Sequence, residues 1–403
     1  MRGLTNDEAA AMERCSVEPM LAQVEAWAAV NSGSHNLDGL GRVATMLADA
    51  FAALPGELDL REAAPVDSVT PSGERVAVQH GRNLHLAVRP KAPVQLLFTG
   101  HMDTVFAADH PFQHVSWREE GVLGGPGVAD MKGGLAVLLA ALKAVEETPL
   151  AASLGYEVVI NSDEEVGSPG SAALIAAAAR GKKAALTYEP SALPDGTLAG
   201  ARPGSGNFSL IVQGRSAHAG RNPEDGRNAV LAAAELALLL ADAIGEGLSV
   251  NPARIDGGGP NNVVPDSTIL RVNMRPATST DQARAQSALD EAVSGVAERR
   301  DVRIAVHGGW GRPPKPLDPE SEKLFELVRR CGSDLGQPIG WRDSGGVCDG
   351  NNIAACGVPV VDTMGVRGGA IHSELEYLIV ESLVERARLS ALTILRLARG
   401  EGL

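Results

Sequence analysis

Leu97-Phe98-Thr99-Gly100-His101-Met102-Asp103-Thr104-Val105 is the stretch on which the reading of this chain turns. The apolar run Val94–Phe98 predicts a buried strand, and Gly100 the loop that follows it. His101 then stands at a strand end, where α/β sheets carry their chemistry. Asp103, two residues on, can hold the imidazole by its second ring nitrogen, as carboxylates behind metal-bound histidines do. Taken alone, His-x-Asp also fits a hydrogen-bonded loop pair. The rest of the chain decides between the two.

Outward from this stretch, residues 16–200 alternate helical and strand patterns. Periodicity predicts helices over Glu18–Val30, Leu37–Leu54 and Gly133–Glu147, and strands over Tyr156–Asn161 and Ala184–Tyr188. A further helix is predicted over Ser168–Arg180, with Ser168 as N-cap and Pro169 at its first position. Such alternation implies an α/β fold, a mixed and mostly parallel sheet sandwiched by helices. Pro203-Gly204-Ser205-Gly206 then reads as a linker. Beyond it come strands over Asn207–Gln213, near Ser249–Arg254, and over Thr268–Met274 and Val302–Val306, with helices over Arg227–Ile244 and Asp281–Arg299. That β-α-β-β-α-β order describes a separate α+β unit of ferredoxin-like type. Gly311-Arg312-Pro313-Pro314-Lys315-Pro316 marks its exit, after which helices over Ser321–Leu335 and Ile379–Ala398 and a strand over Val358–Val361 resume the first pattern. The second unit, 204–316, is therefore read as an insertion into a first made of 1–203 and 317–403.

Bulk properties narrow the function classes. A length of 403 residues exceeds one ordinary core and suits two domains. A net charge of −14, with no basic cluster to reverse it locally, repels nucleic acid and anionic membranes, so neither is expected as a partner. A small anionic substrate stays compatible, because a buried pocket carries its own arginines and metal ions. Cys15, Cys331, Cys348 and Cys356 lack metal-finger spacing and read as reduced thiols of a cytoplasmic protein. The N-terminal stretch Met1-Arg2-Gly3-Leu4-Thr5-Asn6-Asp7-Glu8 has no apolar core and is not read as a secretory signal.

Further acidic and imidazole clusters sit beside glycines or predicted strand ends: Asp130 in Gly127-Val128-Ala129-Asp130-Met131-Lys132-Gly133-Gly134, the run Asp163-Glu164-Glu165, Glu189 before Pro190, and His372 before Ser373-Glu374. Each has a plain reading. Asp130 fits a helix-start carboxylate, the acidic run a solvated turn, Glu189 an extended loop residue, and His372 a structural histidine. Together, two histidines and three carboxylates at element ends of one domain suit a pair of zinc ions. A carboxylate bridging metals about 3.5–4 Å apart lets both polarise one water. Two Zn²⁺, three carboxylates and a hydroxide also sum to about zero charge, so the site can be buried. Glu164 and Glu165 are adjacent, and in extended backbone would face opposite ways, one toward metal and one toward the water as general base.

These motifs, in this order over nearly the whole chain, resemble the dizinc family of aminoacylase, acetylornithine deacetylase, succinyl-diaminopimelate desuccinylase and glutamate carboxypeptidase. The resemblance is greatest to the glutamate carboxypeptidase branch. It implies that Asp130 bridges two Zn²⁺ ions, with Co²⁺ or Mn²⁺ as substitutes. His101 and Glu189 would complete one site, and Glu165 and His372 the other. Asp103 would orient His101, Glu164 would be the general base, and the peptide bond after Asp130 would be cis. The inserted unit would act as lid and dimerisation domain of a homodimer. There the segment Ser216-Ala217-His218 implies that His218 reaches the partner's site and stabilises the oxyanion; by itself His218 reads as a turn histidine. Asn262, in Asn261-Asn262-Val263-Val264-Pro265, is implied as a substrate contact. Arg275 and Arg312 read structurally as ion-pair residues, and by resemblance as ligands of a substrate carboxylate. Cys348 in Ser344-Gly345-Gly346-Val347-Cys348-Asp349 stands where the family usually has Ser or Thr, a departure that bears on a local hydrogen bond and not on the chemistry.

The resulting expectation is a zinc-dependent hydrolase. It would cleave the amide bond of a small acyl-amino acid or peptide with a free C-terminal carboxylate, by water attack with a glutamate base. N-acyl or N-carbamoyl amino acid deacylation uses the same catalytic motifs. A non-catalytic binding protein on this scaffold would not need both metal ligands and a base.

Overall fold

The computed structural model describes residues 3–402. Met1 and Arg2 of the N-terminal stretch read above lie outside them. A six-stranded sheet forms the centre, in the order Glu57–Arg61, Asn83–Val88, Leu154–Asn161, Val94–His101, Ala184–Thr187, Val360–Val361. The last four are mutually parallel, and the first two join as antiparallel neighbours. The sheet is thus mixed and mostly parallel, as the alternation implied.

Alternate side chains of Val94–His101 feed two cores. Leu96 and Phe98 enter one with the helices Gly133–Glu146 and Glu381–Ala398, while Leu97 enters the other with Ile175 and Val360. A strand covered on both faces must be apolar throughout, which is why its sequence shows no alternation. The helix Gly133–Glu146 is buried nearly all round for the same reason. It lies so close to the sheet that a Cβ on Gly134 would stand 2.0 Å from the Tyr188 carbonyl oxygen. That approach brings the segment before the helix up to the strand ends.

A second, four-stranded sheet has the order Leu248–Gly257, Ser267–Pro276, Ser205–Gln213, Arg303–Arg312, antiparallel throughout. The helices Ala229–Asp242 and Ser279–Arg300 cover one face through Leu210, Leu236, Leu240, Leu270 and Leu289. This is the ferredoxin-like βαββαβ order. Part of the other face, Ile211 and Ile269, packs on Val69 of the hairpin Val66–Val69/Arg75–Val78. Arg271 Nη2 donates to the Val69 carbonyl at 2.8 Å.

Several boundaries differ from the sequence expectation. The helix expected from Ser168 runs over Ala172–Ala179. Ser168 is not its N-cap: it has φ +57°, and its hydroxyl donates to Asp349 at 2.5 Å. The turn is closed instead by Asp163, which accepts from Gly170 N–H and Ser171 Oγ, both at 2.5 Å. The last helix starts at Glu381 because Tyr377–Ile379 pairs as a strand with Val122–Gly124. The strand expected to stop at Val306 continues to Arg312, into the stretch read as an exit. No helix among the described residues is long and apolar enough to cross a membrane.

Candidate metal centre

The carboxyl ends of the parallel strands converge on one acidic cluster. His101 is the last residue of the central strand. Asp130 lies in the turn just before the helix Gly133–Glu146, and the Asp130–Met131 bond is cis. Glu164 and Glu165 follow the strand Leu154–Asn161, and Glu189 follows Ala184–Thr187. His372 comes from the far end of the chain, at φ +62°.

Asp130 stands between the two histidines. Its Oδ1 is 3.0 Å from His101 Nε2 and its Oδ2 is 3.3 Å from His372 Nε2. Glu165 Oε2 is 3.1 Å from His372 Nε2, and Glu189 Oε2 is 3.7 Å from His101 Nε2. All five residues expected to bind metal are therefore together, split into the two pairs expected around a shared carboxylate. Two donor groups, His101/Asp130/Glu165 and His101/Glu164/Glu189, have ligand atoms within 4.8 Å of one another. Imidazole and carboxylate donors at this spacing fit zinc.

The electrostatics point the same way. Burial, then the Asp130 charge, pushes Glu165 up to about 7. Burial also raises Glu189 against the pull of His101, and lifts Glu164 well above the usual carboxylate range against the pull of Arg312. At Asp130 burial opposes ionisation, but hydrogen bonds from His101 and His372 overcome it and hold the carboxyl low. Hydrogen bonds to Asp130 and Glu165 push His372 up to about 11. Shifts of these signs mark a cluster of carboxylates short of positive charge, which cations between these oxygens would supply.

Asp103 stands behind His101 as the sequence suggested, but the hydrogen bond to the ring is made by its main-chain carbonyl. His101 Nδ1 lies 3.0 Å from the Asp103 carbonyl oxygen and 3.4 Å from its carboxylate. The carboxylate accepts the Glu164 and Glu165 N–H groups, each at 3.1 Å, and the Ser34 hydroxyl at 2.7 Å. It therefore shapes the acidic turn. Glu164 and Glu165 depart from the extended backbone considered for them: Glu164–Val166 is a tight helical turn closed by the bond from Gly167 N–H to the Glu164 carbonyl. Their carboxylates still part, Glu165 toward His372 and Glu164 toward Arg312.

Two cavities meet at this centre. One, about 450 Å³, opens on the Glu189 side past Pro190, Cys348 and Ile371. The other, about 1230 Å³, runs between the centre and the four-stranded sheet and is lined by Arg275, Asn207 and Asn273. Glu164, Glu165 and His372 line both. Arg312 also borders the larger cavity, but its guanidinium is engaged with Glu164 and Asp349. His218 and Asn262 line neither cavity. They are exposed on the βαββαβ unit and adjacent to each other, with His218 bridged to Val263 and Ala219 N–H donating to the Asn262 carbonyl. Cys348, where a hydroxyl residue was expected, is buried in the wall of the smaller cavity.

Three supporting groups escaped the sequence reading. Glu376, 1% exposed, accepts the N–H groups of Gly127, Ala129 and Asp130 at 3.0–3.1 Å. Asp349 accepts from Asn161 at 2.9 Å and from Ser168. Arg202 and Lys315 share the buried carboxylate of Asp362. For Glu376 the available signal was its place four residues after His372, and for Asp349 its place in the glycine-rich segment 344–349; for Arg202, Lys315 and Asp362 there was none.

The chain belongs to peptidase family M20/M25/M40, whose profile matches residues 97–396. Carboxypeptidase G2 of Pseudomonas sp. (strain RS-16) is 31% identical to it over 331 residues, which cover 80% of this chain and 78% of that protein. Succinyl-diaminopimelate desuccinylase of Xanthomonas oryzae pv. oryzae is 29% identical over 316 residues, 72% and 80% of the two chains. Among solved structures, aminopeptidase PepT from Bacillus cereus matches with a TM-score of 0.69 at 22% identity, over 96% of this chain and 100% of that one. An M20 family metallo-carboxypeptidase from Sulfolobus solfataricus matches with a TM-score of 0.68 at 14% identity, over 93% and 98%. The two structures speak for the fold, and the family membership for the chemistry. The chain is a hydrolase of peptides or acyl-amino acids, and its candidate metal ligands are in place.

Proposed function

We propose that the chain is a dizinc carboxypeptidase, releasing a C-terminal amino acid such as glutamate from a small acyl-amino acid or peptide. The observation that carries this reading is Asp130 lying between His101 and His372 with Glu164 beside it, at the mouth of a cleft lined by Arg275. The 31% identity to carboxypeptidase G2 supports the substrate class. His101, Asp130 and Glu189 would hold one zinc ion, and Asp130, Glu165 and His372 the other. Bound there, the ions supply Lewis acidity toward the scissile carbonyl and toward water.

The remaining steps belong to side chains. Arg275 is exposed on the cleft wall and offers its guanidinium to the substrate carboxylate. Glu164 takes the proton of the attacking water and hands it to the leaving amine. A carboxylate raised by burial is well matched to that exchange near neutral pH. The partner subunit's His218 would meet the developing oxyanion, with the partner subunit's Asn262 beside it as a substrate contact. The reading thus includes a homodimer, formed through the inserted unit 204–316. Exposed Leu231, Leu238 and Ile244 on and beside the helix Ala229–Asp242 support such a contact. Four free thiols support a cytoplasmic setting.

The identity to succinyl-diaminopimelate desuccinylase favours a second reading, N-acyl amino acid deacylation at the same centre. Zinc-loaded protein incubated with N-acyl glutamates, other N-acyl amino acids and short peptides, with products identified by mass spectrometry, separates the two. No turnover of any would overturn both. Glu164→Gln should keep its zinc and lose activity by about 10²–10⁴-fold. An unchanged rate would remove Glu164 from its role.

A further inference from the structure

The last residue of the strand Arg303–Arg312 enters the metal centre from the inserted sheet. Arg312 is 3% exposed. Its Nη2 lies 2.8 Å from Glu164 Oε1, 2.9 Å from the Glu164 carbonyl and 3.1 Å from Ser168 Oγ. Its Nη1 lies 3.3 Å from Asp349 Oδ1. Asp349 is itself held by Asn161 at the end of a central strand, so the guanidinium is anchored on one side and grips Glu164 on the other.

We propose that Arg312 is a positioning residue for the base Glu164, and that the substrate carboxylate is left to Arg275. This rests on the reading of Glu164 as base. A guanidinium is a planar fork whose specificity comes from which oxygens it faces. Both terminal nitrogens of Arg312 face oxygens of the protein itself. Capturing a ligand with them would strip two buried carboxylates, Glu164 and Asp349, of their cation. Arg275 is the opposite case. It is exposed, it donates to neutral acceptors only, Asn273 Oδ1 at 3.0 Å and the Gly345 carbonyl at 3.3 Å, and no carboxylate among the described residues pairs with it.

The test compares Arg312→Gln, Arg312→Lys and Arg275→Gln on the panel substrate that the wild type turns over fastest. Calorimetry with the amino acid it releases, and zinc content, are read alongside. Arg312→Gln should lower kcat on the order of 10²-fold, with KM, product Kd and zinc content changed by less than about 3-fold. Arg312→Lys should recover part of the lost kcat, since a point charge replaces the fork. Arg275→Gln should raise KM and product Kd by about 10-fold or more, with kcat largely kept. A product Kd that rises as much in Arg312→Gln as in Arg275→Gln, with kcat retained, overturns the proposal. A normal kcat in Arg312→Gln while Glu164→Gln is inactive also overturns it and leaves the base assignment standing. Activity in Glu164→Gln, or no turnover by the wild type, overturns the underlying reading and this proposal with it.

Discussion

Glu376 supplies a prediction that separates holding the main chain from binding the metal. Its Oε1 accepts the Ala129 and Asp130 N–H groups at 3.0 Å each, and its Oε2 accepts Gly127 N–H at 3.1 Å. The carboxylate is 1% exposed, so no bulk water replaces it when it is removed. Glu376→Ala leaves three buried donors without an acceptor, each costing about 1–3 kcal/mol. Water entering the vacated space would satisfy one or two of them, so a loss of roughly 3–5 kcal/mol is expected. Asp130 would lose the bond that fixes its backbone, and zinc affinity should fall by about 10–100-fold, the size of other losses behind a metal ligand. Glu376→Gln keeps one acceptor oxygen in place and should restore most of the stability and the affinity. Urea unfolding gives the first quantity and zinc competition against a chromogenic chelator the second. If Glu376→Ala stays folded and binds zinc as tightly as the wild type, the reasoning is wrong and Asp130 is placed by something else.

Three further outcomes follow from contacts described above or nearby. Asp103→Ala removes the acceptor for Glu164 N–H, Glu165 N–H and Ser34 Oγ, so zinc affinity should drop by about 10–100-fold with the fold retained, read by chelator competition and circular dichroism. Glu8 is fully buried between Thr5, Arg396 and Arg399; burial would raise its carboxyl, but the Thr5 N–H and the two guanidinium groups overcome this and hold it low. A folded value below the unfolded one gives stability that is present above about pH 4.3 and lost as pH falls, so Glu8→Gln should cost about 3–5 kcal/mol at pH 7 and flatten the acid limb of the stability curve. Gly134→Ala would push a Cβ to within 2.0 Å of the Tyr188 carbonyl, so helix and sheet must part, with a loss of about 1–3 kcal/mol or more in urea unfolding.

The five residues expected to bind metal were legible as a set, through the segments that carry the family resemblance. His101, Asp130, Glu165, Glu189 and His372 stand in short segments beside glycines and strand ends, and the structure brings all five together. The βαββαβ unit was legible because its strands and helices keep their own periods. The strands Glu57–Arg61 and Asn83–Val88 were not read, since their place is set by antiparallel pairing with each other and with Leu154–Asn161. The Ser168 cap failed because a tertiary partner, Asp349, took the hydroxyl that local rules assign to the helix. Glu376, Asp349 and the far side of Asp103 escaped for a common reason. They hold main-chain donors or other side chains from a distance of tens to hundreds of residues, and spacing carries no trace of that.

Crowding the carboxylates of Asp103, Asp130, Glu164, Glu165 and Glu189 into one small buried volume is unfavourable unless cations are close. The fold answers in two ways. Arg312 meets Glu164 permanently, while Arg202 and Lys315 set two positive charges against the single carboxylate of Asp362 in the wall beside the smaller cavity. The nearest partners of Asp130 and Glu165 are the imidazoles of His101 and His372, whereas Glu189 also feels the Arg202 charge. That division is what a metal hydrolase needs. On the proposed reading, charges that stay put are countered by guanidinium and ammonium groups, and those that would receive ions face imidazoles, which bind metal in their neutral form. On the proposed reading, metal would enter at Asp130 in a frame whose neighbouring charges are already countered.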